Sequence, residues 1–160
     1  MTTKGKTLSA RDKKVIWHPY TQHQLFPDSI GIVKAKDAYL YDESGKRYID
    51  GLSSWWTCTH GHSNSYIARK VSAQLKKLEH VIFAGFTHQP AVELSERLLA
   101  KLQGNQKRIF FSDNGSTAVE VAMKMSFQYW YGKGNPKTKI IAFKDAYHGD
   151  TFGAMSASGR

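Results

Sequence analysis

The sequence predicts an α/β protein, and three features of its 160 residues support this prediction. Short strands around a glycine-containing turn near the N-terminus are typical of a small antiparallel meander. Between residues 108 and 143, a strand, a turn, a helix, a loop and a second strand follow in the order of a βαβ crossover. Hydrophobic residues make up 41% of the chain and aromatic residues 12%, a composition that excludes a disordered protein.

Composition and charge exclude several classes of protein. The single cysteine, Cys58, cannot form a disulfide within the chain, which favours a reducing compartment, and we expect a cytoplasmic protein. The formal net charge of +10 is spread along the chain, at +6 for residues 1–80 and +4 for residues 81–160. A nucleic-acid interface concentrates such charge in one patch, and a membrane span needs a long apolar run. We therefore expect neither nucleic acid nor a membrane as a partner.

The N-terminal elements are predicted to be short. Residues 9–17 predict a helix, which ends before His18 because the residue that precedes a proline disfavours helical backbone angles. Three strands are predicted next, at Ile30–Ala35, Ala38–Tyr41 and Arg47–Ile49. Gly45 suits the tight connection between the last two strands, so these residues predict an antiparallel meander.

Two helices follow the meander in the predicted order. Ser63 is the predicted N-cap of the first, because apolar residues recur at helical spacing from Ile67 to Leu78. The second helix is predicted to begin at Pro90, since proline is favoured in the first turn, and to end at Gly104.

The crossover lies in the C-terminal part of the chain. Strands are predicted at Arg108–Phe111 and Lys139–Phe143, with a helix over Thr117–Tyr131 between them and a further helix near Thr151. Two parallel strands leave both sheet edges unpaired, so we expect the chain to be a piece of something larger. The expected organisation is an N-terminal segment with the meander, residues 1–52, and the first part of a larger domain, residues 53–160.

The turn before the fourth predicted helix, Thr117–Tyr131, is the first candidate site. Ligands of open α/β sheets bind at the carboxyl ends of the strands, and Gly115 and Ser116 lie there at a helix N-terminus. Free N–H groups and the helix dipole favour an anion such as phosphate, while Gly115 allows close approach of the backbone. An ordinary capped helix start is the alternative. Neither a GxGxxG fingerprint nor a GxxxxGK[ST] loop is present, which argues against a dinucleotide or P-loop site.

Three further groups of residues are candidates. Tyr147 follows the last predicted strand, on the same sheet edge, and its ring either stacks on a planar ligand or packs on the protein. Trp55 and Trp56 either wall an apolar ligand site or belong to a core or interface. Cys58, His60 and His62 alternate at metal-ligand spacing, but three clustered ligands fall short of the four that zinc commonly takes, so no metal is expected.

Taken together, the motifs resemble the class III aminotransferases that use pyridoxal 5′-phosphate (PLP). The resemblance covers nearly the whole chain and is carried by His18–Gln22, Asp50–Trp56, His60–His62, Phe83–His88, Ser112–Lys124 and Tyr147–Ser156. It implies the PLP-dependent transferase fold of type I, here as its N-terminal portion, with the meander and the start of the large, mainly parallel-sheet domain. It also implies a homodimer.

The resemblance implies a role for each candidate residue. Gly115 and Ser116 match the turn that holds the cofactor phosphate, and Tyr147 matches the aromatic residue on the pyridine ring, where it also meets the substrate. Trp55 and Tyr20 match substrate-binding residues.

The His18–Gln22 and Ser53–Trp56 elements are similar to one branch of the family. That branch moves an amino group from S-adenosylmethionine to 8-amino-7-oxononanoate in biotin biosynthesis. The family's Schiff-base lysine has no matching position among the 17 lysines, so we expect it beyond Arg160 and assign no catalytic residue to this chain. The alternatives are another class III transaminase, acting on an ω-amino acid or a diamine, and a small basic binding protein without a cofactor.

Overall fold

A computed structural model describes residues 7–158 of the chain. The chain divides between Val81 and Ile82 into two compact units. The first unit holds α1 (Leu8–Asp12), β1 (Ile32–Lys36), β2 (Tyr39–Asp42), β3 (Arg47–Ile49), α2 (Ser53–Trp56) and α3 (Ser65–Lys77). The second unit holds α4 (Gln89–Leu99), α5 (Gly115–Gly132) and α6 (Phe152–Ala157). The domain boundary predicted after residue 52 stays a prediction.

The predicted antiparallel meander is confirmed in the first unit. Its sheet has the order β1–β2–β3, and Tyr41 in β2 lies opposite Lys34 in β1 and Arg47 in β3. The connection between β2 and β3 closes around Asp42, whose Oδ1 accepts the backbone N–H groups of Ser44 at 2.9 Å and of Lys46 at 3.0 Å. Gly45 has φ +83°, the left-handed conformation that glycine adopts without steric cost.

Two helix boundaries in the first unit differ from the prediction. The helix predicted over residues 9–17 is present only as α1, which is about one turn long. No residue of α1 is buried, so no packing is available to stabilise a longer helix. The N-cap of α3 is Asn64 rather than Ser63, since the Asn64 side chain accepts the N–H groups of Tyr66 and Ile67. The Ser63 hydroxyl instead donates to the carbonyl of Ala35, at 2.8 Å.

The helices of the second unit follow the sequence closely. Pro90 lies in the first turn of α4, as predicted, but the helix ends at Leu99 rather than at Gly104. The helix predicted over residues 117–131 is confirmed as α5, which begins at Gly115 and ends at Gly132. The predicted last helix is confirmed as α6, with Thr151 as its N-cap residue.

The parallel pair of strands predicted at 108–111 and 139–143 is wrong for the part of the chain that the structure describes. Neither segment is a strand, and the meander is the one sheet found within residues 7–158. A strand needs a hydrogen-bonded neighbour on at least one side, and neither segment has one. Most of their apolar side chains are exposed, with Ile141 at 99% and Phe143 at 87%.

None of the helices found within residues 7–158 combines the length and the apolar character that crossing a bilayer requires.

Candidate functional site

The N-terminus of α5 is capped so that two backbone donors remain open. The Asn114 side chain accepts the N–H of Thr117 at 3.0 Å, and the Thr117 hydroxyl accepts the N–H of Asn114 at 3.2 Å. This reciprocal capping box satisfies the third N–H group of the helix. Within residues 7–158, the N–H groups of Gly115 and Ser116 have no hydrogen-bond partner. The helix therefore presents two donors at the positive end of its dipole, an arrangement suited to an anion.

Gly115 keeps this end of the helix accessible. A Cβ placed on it would meet no atom within 4 Å, so the backbone turn is open on that side. The Ser116 hydroxyl accepts the backbone N–H of Asp150 at 2.8 Å, and its own hydrogen remains to be donated. Two N–H groups and one O–H group at a helix N-terminus match a phosphate monoester, whose oxygens only accept.

The loop that contains Tyr147 is held against this helix end. Gly149 has φ +122°, and a Cβ there would overlap with the Ser116 side chain. Only glycine allows the loop to come this close. The Tyr147 hydroxyl donates to Asp150 Oδ2 at 2.8 Å, and 62% of the Tyr147 side chain is exposed. The structure therefore places both predicted cofactor elements, the Gly115–Ser116 turn and Tyr147, at one location in the second unit.

The other end of this loop is fixed by Glu120, a residue that the sequence analysis missed. Glu120 Oε1 accepts the N–H of Gly153 at 2.7 Å and that of Ala154 at 3.2 Å, at the start of α6. The Thr151 hydroxyl and then the Gly153 N–H are the main groups that lower the pKa of Glu120. The Thr151 hydroxyl lies next to this carboxylate but outside good hydrogen-bond geometry. The sequence signal that could have identified Glu120 is its i, i+4 spacing from Ser116, because this spacing puts both side chains on one face of α5.

In the first unit, Tyr20 and Trp55 are brought together from positions 35 residues apart in the sequence. Their ring centroids are 5.4 Å apart and the ring planes meet at 73°, an edge-to-face contact. Both remain largely exposed, Tyr20 at 70% and Trp55 at 59%. The two residues that resemblance assigned to the substrate thus form one aromatic pair with largely exposed rings.

Trp55 lies in a backbone segment of unusual hand. All four residues of α2 have positive φ, namely 48° at Ser53, 48° at Ser54, 55° at Trp55 and 64° at Trp56. For residues other than glycine, the left-handed conformation costs roughly 1–2 kcal/mol each. Strain of this kind persists only where neighbouring groups hold it in place, and it occurs often at ligand sites.

Asp50 supplies contacts that hold the segment. Its Oδ1 accepts the backbone N–H of Ser54 at 3.0 Å, and its Oδ2 accepts the Ser54 hydroxyl at 2.8 Å. His62 Nε2 lies 2.7 Å from the same Oδ2, and the Asp50 and His62 side chains are only 9% and 13% exposed. The pKa of Asp50 is lowered to about 2, most strongly by the Ser54 N–H and next by the His62 ring. The carboxylate is therefore ionised at neutral pH.

His62 is therefore engaged with Asp50 rather than with a metal site. Among residues 7–158, no group of three or more His, Cys, Asp or Glu side chains converges as metal ligands would. Cys58 is half-buried, and its backbone N–H donates to the carbonyl of Ser53 at 2.9 Å.

Comparison with known proteins identifies similar chains along nearly the whole sequence. The family model described as "Aminotransferase class-III" matches residues 20–160. The adenosylmethionine-8-amino-7-oxononanoate aminotransferase of Synechococcus elongatus is 49% identical over 145 residues, which are 91% of this chain and 34% of the relative. The chain spans about a third of the length of the curated relatives it matches.

Solved structures with the same fold include two transaminases. The adenosylmethionine-8-amino-7-oxononanoate aminotransferase of Methanocaldococcus jannaschii superimposes with a TM-score of 0.87 at 36% identity, over 95% of this chain and 35% of that one. The ω-transaminase of Pseudomonas jessenii in complex with PMP gives a TM-score of 0.90 at 29% identity, over 97% of this chain and 35% of that one. These matches confirm the predicted fold class, although the parallel strands are not formed within residues 7–158.

Proposed function

The chain belongs to the class III aminotransferases, and we propose that its second unit supplies the phosphate site for pyridoxal 5′-phosphate. The observation that carries this proposal is the helix end of α5. There, among residues 7–158, the N–H groups of Gly115 and Ser116 have no hydrogen-bond partner, and no acceptor takes the hydrogen of the Ser116 hydroxyl. These donors fit the terminal oxygens of a phosphate monoester.

Each residue of this site has a separate task. Gly115 and Ser116 bind the phosphate, Gly149 lets the loop approach Ser116, and Tyr147 offers its ring to the planar part of the cofactor. The hydrogen bond from Tyr147 to Asp150 restricts how the ring can turn. When bound, PLP supplies the electron sink for amino-group transfer, while the protein supplies binding and orientation.

We further propose that the protein moves an amino group from S-adenosylmethionine to 8-amino-7-oxononanoate, giving 7,8-diaminononanoate in biotin biosynthesis. The 49% identity to the Synechococcus elongatus relative supports this substrate pair. The acceptor carries a run of methylene groups, and Tyr20 and Trp55 offer exposed aromatic surface for it. Each methylene removed from water contributes about 0.8 kcal/mol to binding. The surface formed by Tyr20 and Trp55, here called the aromatic wall, therefore favours binding of the methylene chain of the acceptor.

The remaining parts of the proposal concern the whole enzyme. We propose that the lysine that binds PLP covalently lies beyond Arg160, since no lysine in this chain matches its position. We also propose that the enzyme acts in the cytoplasm as a homodimer. The match over residues 20–160 argues against a small basic binding protein without a cofactor.

One assay tests the activity. The complete enzyme is incubated with PLP, S-adenosylmethionine and 8-amino-7-oxononanoate, and the product is measured by mass spectrometry. We expect diaminononanoate to form, and its absence would refute the substrate assignment.

A second candidate is a transaminase for ω-amino acids or diamines, which the similarity to the Pseudomonas jessenii ω-transaminase favours. Trp55→Ala and Tyr20→Leu separate the two. If the first candidate is correct, both variants should cripple transfer to 8-amino-7-oxononanoate. Activity that persists in the variants only with ω-amino acids or diamines would support the second candidate.

A further inference from the structure

The left-handed turn Ser53–Trp56 is held from one side by a continuous set of contacts in the first unit. His62 is anchored to the connection between β1 and β2, because its backbone N–H donates to the carbonyl of Asp37 at 2.8 Å and its carbonyl accepts the Asp37 N–H at 3.1 Å. The His62 ring then contacts Asp50, and Asp50 contacts Ser54. The anchor is therefore the meander itself, a hydrogen-bonded sheet.

Both oxygens of the Asp50 carboxylate are used in this arrangement. Oδ1 accepts the Ser54 N–H, while Oδ2 accepts the Ser54 hydroxyl and lies against His62 Nε2. Ser54 precedes Trp55, so a change in the Ser54 backbone angles redirects the Trp55 ring. Left-handed angles at four residues that are not glycine are disfavoured locally, and contacts from outside the turn must maintain them.

We propose that Asp50 and His62 are positioning residues that hold Trp55 edge-to-face against Tyr20 and so shape the aromatic wall. Neither side chain contacts the reacting atoms in this proposal. The role rests on the proposed function only in assuming that the wall binds the amino acceptor. The positioning itself is a property of the first unit and can be measured without activity.

Fluorine NMR of the complete enzyme labelled with fluorotryptophan provides that measurement. The chain has four tryptophans, and the Trp55 resonance is identified by its loss in Trp55→Phe. In Asp50→Asn we expect this resonance to shift toward the position that it takes in Tyr20→Leu, where the ring contact is removed. Asp42→Asn is the matched control, because Asp42 accepts a similar set of hydrogen bonds but closes the β2–β3 connection. It should leave the Trp55 resonance in place.

Rescue by glycine distinguishes positioning from general support of the fold. Glycine adopts left-handed angles without steric cost, so Ser54→Gly in the Asp50→Asn background should return the Trp55 resonance toward its original position. A merely structural role for Asp50 predicts no such return. Where Asp50→Asn fails to fold by circular dichroism, His62→Gln replaces it, and the same shift is expected with a smaller size. An unmoved Trp55 resonance in the folded variants would overturn the proposal.

Kinetics of the complete enzyme then separate the two proposals. If both hold, Asp50→Asn raises the KM for the amino acceptor roughly tenfold, with a smaller change in kcat, because binding contacts rather than chemistry are lost. A moved and glycine-rescued resonance with an unchanged KM would support the positioning role and contradict the assignment of the wall to the acceptor. A changed KM with an unmoved resonance would overturn the positioning role.

Discussion

The backbone N–H of Asp150 donates to the Ser116 hydroxyl across 2.8 Å, which joins the Tyr147 loop to the first turn of α5. The two residues are 34 positions apart, yet the contact leaves the hydroxyl hydrogen available. A single side chain thereby fixes the loop and keeps one donor for a phosphate. The stability of the loop and the affinity for the cofactor are therefore expected to change together.

Gly149→Ala is expected to disrupt this contact. The added Cβ would overlap with Ser116, and φ +122° is itself unfavourable for alanine. We expect a loss of roughly 1–3 kcal/mol in the free energy of unfolding, with weaker PLP binding. Gly134→Ala is the matched control, since Gly134 also has positive φ but its Cβ would meet nothing within 4 Å. Urea unfolding and PLP titration of both variants check this, and equal PLP affinity would contradict the prediction.

Ser116→Ala removes one donor without removing the helix. A hydrogen bond to a charged group contributes about 1.5–3 kcal/mol, so PLP affinity should fall by roughly one to two orders of magnitude. Ser126→Ala, on the same helix, deletes a hydroxyl that donates only to the carbonyl of Ala122 and should leave the affinity unchanged. Titration followed by PLP absorbance measures both. Equal affinities in the two variants would show that the Ser116 hydroxyl does not contact the phosphate.

Asn114→Ala removes the cap of α5. Loss of such a cap costs about 1 kcal/mol of stability, and the helix end that presents Gly115 and Ser116 should fray. Asn64→Ala removes the corresponding cap of α3 in the other unit. Both variants are expected to lose similar stability by urea unfolding, but only Asn114→Ala should bind PLP more weakly. Weaker binding in both would mean that general instability accounts for the effect.

Glu120 gives the second unit an acid-sensitive contact. Its pKa is lowered in the folded state by the Thr151 hydroxyl and the Gly153 N–H, so its ionised form favours folding. That contribution is complete above the unfolded pKa of 4.5 and is lost as the pH falls through the lower folded value. Glu120→Gln should therefore reduce stability at pH 7 and flatten its decline below pH 4.5. Urea unfolding across this range is the measurement, and superimposable pH profiles would refute the assignment.

The parts that the sequence predicted well are those determined by neighbouring residues. The meander follows from Gly45 between two short strands, and the Gly115–Ser116 helix end follows from capping chemistry. Capping also accounts for the small error at α3, because Asn64 and Ser63 are both good caps and only the structure shows which one accepts the helix N–H groups.

The parts that could not be predicted depend on distant contacts. The residue types of the turn itself do not favour left-handed angles; Asp50, four residues before Ser54, contacts the turn, and His62, twelve residues beyond Asp50, contacts Asp50. The segments 108–111 and 139–143 have the composition of strands, but a strand also needs a neighbour, which composition does not supply. Glu120 was missed because its target is the start of α6, more than 30 residues away.

The exposed side chains of Ile141 and Phe143 have a consequence for colloidal behaviour. Apolar surface of this kind draws copies of the chain together, while a net charge of +10 makes them repel one another. Salt weakens only the repulsion, since the Debye length shortens to about 10 Å at 0.1 M ionic strength. This chain in isolation should therefore stay dispersed in dilute buffer and self-associate as salt is added, the opposite of a protein held together by ion pairs.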